Sequence, residues 1–165
     1  MPRKPAPQPL LSPGRHPMGL TELRDLTVAR FPVSVRRPML FAELERLTAD
    51  LNRLHVVCEL WVDGSFLTEK MEPDDIDLSF SAFASSLDVL DNTTKIWIFS
   101  NLDGRHYSPL LDTYICVRFA RDDHRRAADK TDYWAEKWGV GWDDRLTGYA
   151  IIKLGETDVG HRLCT

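Results

Sequence analysis

Leucines at positions 40, 44, 47, 51 and 54 recur at intervals of four and three, and Glu43, Glu45, Arg46, Asp50 and Arg53 lie off that stripe. On a helix of about 3.6 residues per turn this is one apolar face, with Pro38 suited to the first turn. Such a face needs a partner surface, and a sheet is the natural one. Residues 56–62 are β-branched and apolar and run into Asp63-Gly64-Ser65, which reads as a strand ending in a turn. A turn or short helix over 66–71 follows, broken by Pro73. Residues 75–80 then alternate polar and apolar with period two, the pattern of a half-buried strand. Further strands are expected over 113–119, entered through Asp112, and over 148–154. Helices are expected over 21–30, 85–90, 95–102 and 125–138. The pattern predicts an α/β (α+β) fold with a mixed four- to five-stranded sheet flanked by helices.

Segments outside this pattern set the expected organisation. Residues 1–19 are proline-rich with little periodicity and read as a flexible arm. One domain is expected over 20–155, and a polar tail over 156–165. No internal repeat is visible.

Composition narrows the function classes. The chain has 165 residues, enough for one domain with a real core, and its net charge of −4 argues against a broad grip on nucleic acid. Local basic patches remain candidates: Arg36-Arg37, and the cluster Arg118, Arg121, Arg125, Arg126 and Lys130. The competing reading is that these are solvated helix and loop charges. Cys58, Cys116 and Cys164 are odd in number and far apart, against both a disulfide framework and a cysteine zinc site. No apolar run approaches the ~18–20 residues that span a bilayer, and no apolar leader follows the basic N-terminal residues. A reducing, cytoplasmic setting with no membrane partner is therefore expected. His55, His106 and His124 share no spacing and read as ordinary histidines. Tyr133, Trp134, Trp138 and Trp142 read as core or interface aromatics, with stacking on a base as the alternative.

The chemistry concentrates between residues 62 and 78. Asp75 and Asp77 project to the same side of a strand, while Ile76 and Leu78 face the core. Two adjacent carboxylates repel unless a proton or a cation lies between them. Mg²⁺ suits that role, because it takes one or two carboxylates together with phosphate oxygens. The Gly64-Ser65 turn offers backbone N–H groups and a hydroxyl where a short helix begins, a concave donor site for phosphate. Asp112, at the start of the next strong strand, is the best candidate for a third carboxylate, as metal ligand or general base. The structural alternatives are solvated edge-strand carboxylates for Asp75 and Asp77, and a cap or turn role for Asp112. Asp74 reads as a turn residue and Asp63 as structural.

The apolar residue, Gly64-Ser65, a fixed gap and Asp75-Ile76-Asp77-Leu78 resemble the signature of the polymerase-beta-like nucleotidyltransferase superfamily. The chain is most similar to the minimal nucleotidyltransferases of bacterial toxin–antitoxin and phage-defence loci. Leu11-Ser-Pro-Gly-Arg-His16 followed by Thr21, the leucine-striped helix, Asp63-Gly-Ser-Phe66, Tyr133-Trp134 and Gly148-Tyr-Ala-Ile-Ile152 extend the resemblance to an uncharacterised bacterial family of that group. The resemblance implies the nucleotidyltransferase fold and transfer of a nucleotide from an NTP, ATP foremost, with Mg²⁺ (or Mn²⁺) as cofactor. It implies metal ligation and catalysis by Asp75, Asp77 and Asp112, and phosphate binding at Gly64 and Ser65. The acceptor expected is a protein, such as a cognate toxin, or a structured RNA such as tRNA; homo-oligomerisation is open. With no helical acceptor domain, the residues of segment 118–142 are the expected docking surface. A non-catalytic nucleotide-binding or antitoxin-like module of the same fold is the alternative.

Overall fold

The computed structural model describes residues 6–128, 138–140 and 146–155. Its centre is a five-stranded mixed sheet in the order β1-β5-β2-β3-β4, built from β1 (Gly14–Pro17), β2 (Cys58–Asp63), β3 (Ile76–Phe83), β4 (Leu111–Arg118) and β5 (Gly148–Leu154). β1 runs parallel to β5, β3 runs parallel to β4, and β2 is antiparallel to both its neighbours. The fold is thus mixed α/β, as the periodicities indicate.

The leucine stripe forms α2 (Arg36–Arg53), and Leu40, Leu44, Leu47 and Leu51 are fully buried. They meet Leu60 and Val62 of β2, Ile76, Leu78 and Phe80 of β3, and Ala150 and Ile152 of β5 in one core cluster. The N-terminus of α2 is capped from far along the chain. Glu72 accepts hydrogen bonds from the Val35 N–H (3.0 Å), the Arg36 N–H (2.8 Å) and the Ser34 hydroxyl (2.9 Å). α1 (Leu20–Arg24) runs on into a π-helical turn, Asp25–Ala29. α3 is Ala84–Asp88, and α4 (Asn92–Asn101) is capped by the Asp91 carboxylate, which accepts from the Thr94 N–H at 2.7 Å. Leu87 of α3 and Ile98 of α4 join the same core, so the described helices that contribute to it cover one face of the sheet.

The alternation that buries Leu60 and Leu78 turns Trp61, Asp63, Asp77 and Tyr114 to the other face. There Trp61, Tyr149, Ile151 and Trp138 form a second, aromatic cluster, with Tyr114 packed on it. Trp61 and Tyr149 lie 5.6 Å apart between ring centroids, and Tyr114 and Trp138 lie 5.9 Å apart, edge to face. Tyr114 is two residues from Asp112 on β4, so this cluster forms the floor behind the site.

Several expectations need correction. Residues 8–17 are not a free arm. Gly14–Pro17 is β1, the Leu10 N–H donates to the Leu67 carbonyl (2.8 Å), and the Glu69 N–H donates to the Gln8 carbonyl (2.8 Å). The segment 66–71 is a 3₁₀ turn, Gly64–Leu67, that starts two residues earlier than expected. β3 begins at Ile76, which leaves Asp75 at its threshold, and β4 contains Asp112 as its second residue. Arg37 is no surface charge but fully buried, and Arg125 is bound to Asp88 and Asp123. Of the expected helix over 125–138, the described part holds a 3₁₀ turn, Arg126–Ala128, and Trp138. Lys130, Tyr133, Trp134, Trp142, Cys164 and the tail 156–165 lie outside the described residues. Among the described residues no helix is long and apolar enough to cross a membrane.

Candidate active site

Three chain segments meet at one end of the sheet. β2 delivers the chain into the turn at Gly64-Ser65, β3 carries Asp77 with Asp75 just before it, and β4 carries Asp112. Register brings the acids together: Asp77 pairs with Asp63 across the antiparallel β2–β3 ladder and with Asp112 across the parallel β3–β4 ladder. Neighbouring strands lie about 4.8 Å apart, so residues paired in register on one face are side by side. Ser65, Lys70, Asp74, Asp75, Asp77, Arg105 and Asp112 line a cleft of about 320 Å³. All five residues singled out from the sequence are at this end of the sheet, and four of them line the cleft.

Gly64 contributes differently. Its φ is +81°, a left-handed conformation that side chains rarely adopt, and a Cβ built there would lie 2.8 Å from Asp77 Cγ and closer still to Oδ2. The glycine is what allows the Asp77 carboxylate to lie against the turn.

The acids have unequal surroundings. The Asp77 carboxyl is pushed up to about 6, first by burial and then by the charges of Asp75, Asp112 and Asp63. Asp63 is also raised, by burial, against the pull of the N–H groups of Gly139 and Gly64 that it accepts. Its bond from the Gly139 N–H, 3.1 Å, ties the turn at 138–140 to the site edge. Asp63 is structural, as read, but it is a structural member of this site.

Two cations enter the cleft that the sequence did not mark. Arg105, in the loop after α4, donates to Asp75 and, at 3.3 Å, to Asp112. Lys70, which also lines the cleft, pairs with Asp74 at 2.6 Å. Behind them, Arg37 holds the wall itself. Its guanidinium donates to the carbonyls of Thr27 (2.9 Å), Phe66 (2.9 Å), Thr68 (2.6 Å) and Lys70 (2.6 Å), and it stacks 3.7 Å from the Phe31 ring centroid. Burial lowers it to about 10, so it remains charged at neutral pH. A loop residue carries no periodic signal, so Arg105 is not legible in the sequence, and Arg37, a candidate basic-patch residue, is instead a buried brace of the wall.

The expected docking surface over 118–142 is altered at both ends. Trp138 is buried in the aromatic cluster, and Arg118 lies against Glu59 (3.4 Å) and over the Phe83 ring. Arg121 and Arg126 stay exposed.

Among the described residues no three His, Cys, Asp or Glu side chains already surround a common point as a metal cage. The Arg105 guanidinium spans Asp75 and Asp112 instead. The donor chemistry still fits a hard divalent cation: the carboxylates of Asp75, Asp77 and Asp112 converge on one cleft, and among the described residues no ion pair is formed by Asp77. Comparison with curated proteins and with solved structures returned no match. A family match covers residues 5–153, which include the whole sheet except Leu154 and every residue of the cleft, and the chain belongs to that family, a family of unknown function (DUF6932).

Proposed function

We propose that this protein is a metal-dependent nucleotidyltransferase of the polymerase-beta-like type, moving a nucleotide from an NTP to a hydroxyl on a protein or a structured RNA. The observation that carries the reading is the convergence of Asp75, Asp77 and Asp112 on one cleft, beside a turn whose glycine leaves room for the Asp77 carboxylate. A scaffold has no physical need to gather like charges at the cost seen in the raised Asp77 carboxyl. The signature around Gly64-Ser65 and Asp75-Ile76-Asp77 supports the same fold and chemistry. Asp75, Asp77 and Asp112 would hold Mg²⁺ or Mn²⁺, which neutralises phosphate charge and acidifies the acceptor hydroxyl. The N–H groups and hydroxyl of the Gly64-Ser65 turn receive phosphate oxygens. Asp112 takes the acceptor's proton as its oxygen bonds to the α-phosphorus. The bond to the bridging oxygen of the β-phosphate breaks, and pyrophosphate leaves. A cytoplasmic role in toxin–antitoxin or phage defence, with ATP as donor, belongs to the same proposal.

A second reading is favoured by one specific contact. The Arg105 guanidinium bridges Asp75 and Asp112, and a permanent bridge would leave a binding module without turnover. The two are separated by incubating the full chain with α-³²P-labelled NTPs, Mg²⁺ and either total tRNA or a protein encoded beside it. Label transferred to an acceptor by the parent, and lost in Asp75→Asn/Asp77→Asn, supports the enzyme. Nucleotide binding without transfer to any acceptor supports the module. Metal-independent binding that survives in the double variant sinks both.

A further inference from the structure

The loop that carries Arg105 is anchored beside the site. Gly104, with φ +76°, exchanges backbone hydrogen bonds with Thr113 (Gly104 N–H to Thr113 carbonyl, 2.7 Å; Thr113 N–H to Gly104 carbonyl, 2.9 Å). The Thr113 hydroxyl adds a third bond to the Gly104 carbonyl at 2.6 Å. Thr113 is the neighbour of Asp112, so the root of the Arg105 side chain is fixed next to the carboxylate it reaches.

The head of that side chain is held less firmly. The side chain is 49% exposed, and besides Asp75 and Asp112 its guanidinium meets only the Pro109 carbonyl, at 3.1 Å, among the contacts described. The arginine end of the pair is open to water, while the side chains of Asp75 and Asp112 are 18% and 22% exposed, so the guanidinium is the partner free to exchange. Lys70 is engaged with Asp74, so among the described residues Arg105 is the cation paired with Asp75 and Asp112. One guanidinium against Asp75, Asp77 and Asp112 leaves the cleft negative, and a triphosphate alone would be repelled from it. A divalent cation held by Asp75 and Asp112 would compete with Arg105 for the charge of these two carboxylates. Arginine binds phosphate with the same forked geometry with which it binds carboxylate.

We propose that Arg105 is the exchangeable counter-ion of this cleft, bridging Asp75 and Asp112 until a divalent cation takes those carboxylates, and then pairing with the phosphates of the nucleoside triphosphate that arrives with it. This rests on the nucleotidyltransferase reading above. It makes Arg105 a competitor of the metal alone and an ally of the metal–nucleotide pair, two effects of opposite sign from one side chain.

That opposition is the test. The full chain, Arg105→Gln and Arg105→Lys would be titrated with Mn²⁺ alone by calorimetry. Each would then be titrated with α,β-methylene-ATP at saturating Mn²⁺, with Asp77→Asn as the control. Arg105→Gln should bind Mn²⁺ about fivefold more tightly, the size an ion pair open to water at one end allows, and the nucleotide about tenfold more weakly. Arg105→Lys should leave Mn²⁺ affinity near that of the parent, because the charge remains, and should still weaken the nucleotide through loss of the fork. Unchanged or weaker Mn²⁺ binding in Arg105→Gln overturns the exchange, and unchanged nucleotide affinity in both variants overturns the phosphate contact. If the parent binds Mn²⁺ and nucleotide and Asp77→Asn does not, the underlying reading stands whatever Arg105 does. If the parent binds neither, that reading fails, and the inference with it.

Discussion

The Asp77 carboxylate lies over the Cα of Gly64, at a place where any side chain would displace it. Turn and carboxylate are therefore one unit, although they are thirteen positions apart in the chain. Gly64→Ala should destabilise the protein by about 2–3 kcal/mol, from left-handed strain together with overlap. In an Asp77→Ala background the same change should cost less, because the overlap is gone and only strain remains. Urea denaturation of the four-member double-mutant cycle measures that coupling. Additive effects would mean that turn and acid are independent.

The acidic cluster gives a definite pH dependence. Asp77 titrates near 6 in the folded chain against an ordinary 3.8, and Asp63 is shifted the same way. A raised carboxyl binds its proton more tightly when folded, so stability rises as pH falls through about 6 towards 4. Below that window the trend reverses, because Asp74, Glu72, Asp91 and Asp123 are held below their ordinary values and their contribution is lost as they protonate. In chelator-treated buffer the melting temperature should therefore be higher at pH 5 than at pH 7.5. Asp77→Asn should be the more stable chain at pH 7.5 and should flatten the slope. A parent whose melting temperature falls steadily from pH 7.5 to 5 would contradict this.

Arg37 ties the Ser65–Lys70 wall to the π-helical turn after α1 through four carbonyls. Arg37→Met leaves those acceptors buried without donors and should cost about 3 kcal/mol or more. Arg37→Lys keeps the charge but not the fork or the stacking on Phe31, and should cost less. Hydrogen exchange should quicken at residues 66–70 before it does in β3. Uniform quickening across the sheet would show that Arg37 acts on global stability only.

Gly148 lies where β5 meets the N-terminal turn. A Cβ there would overlap the Ser12 carbonyl oxygen and lie 2.7 Å from Leu11 Cβ and 2.9 Å from His16 Nε2. Gly148→Ala should loosen residues 8–17, making them the first site of limited proteolysis, while β2, β3 and β4 stay protected. First cleavage elsewhere would show that β1 is held by other contacts.

What could be read from the sequence follows from what is local. The α2 stripe and the alternation in β3 repeat with their own periods, and β5 begins and ends where its apolar run does. The pairing of Asp77 with Asp112 needed only that two strands be neighbours. β1 leaves no such trace, because four residues among prolines have no period and owe their place to β5. Glu72 caps a helix 36 positions away, and Arg37 binds carbonyls up to 33 away, contacts no window of sequence contains. Arg105 is silent for the same reason: in a loop, an arginine looks the same whether it faces water or carboxylates.

The strand order has a consequence for synthesis. The strands β2, β3 and β4 that carry or border all three carboxylates are contiguous in the sheet and are made before β5. β5 comes last among the described strands, yet it lies between β1 and β2. On a ribosome, the acidic half of the sheet can pair while β1, the first strand made, waits for its neighbour. A ribosome that stalls before residue 148 would release a chain with its acids assembled but the flank of β2 open, ready to pair with a β5 supplied by another molecule.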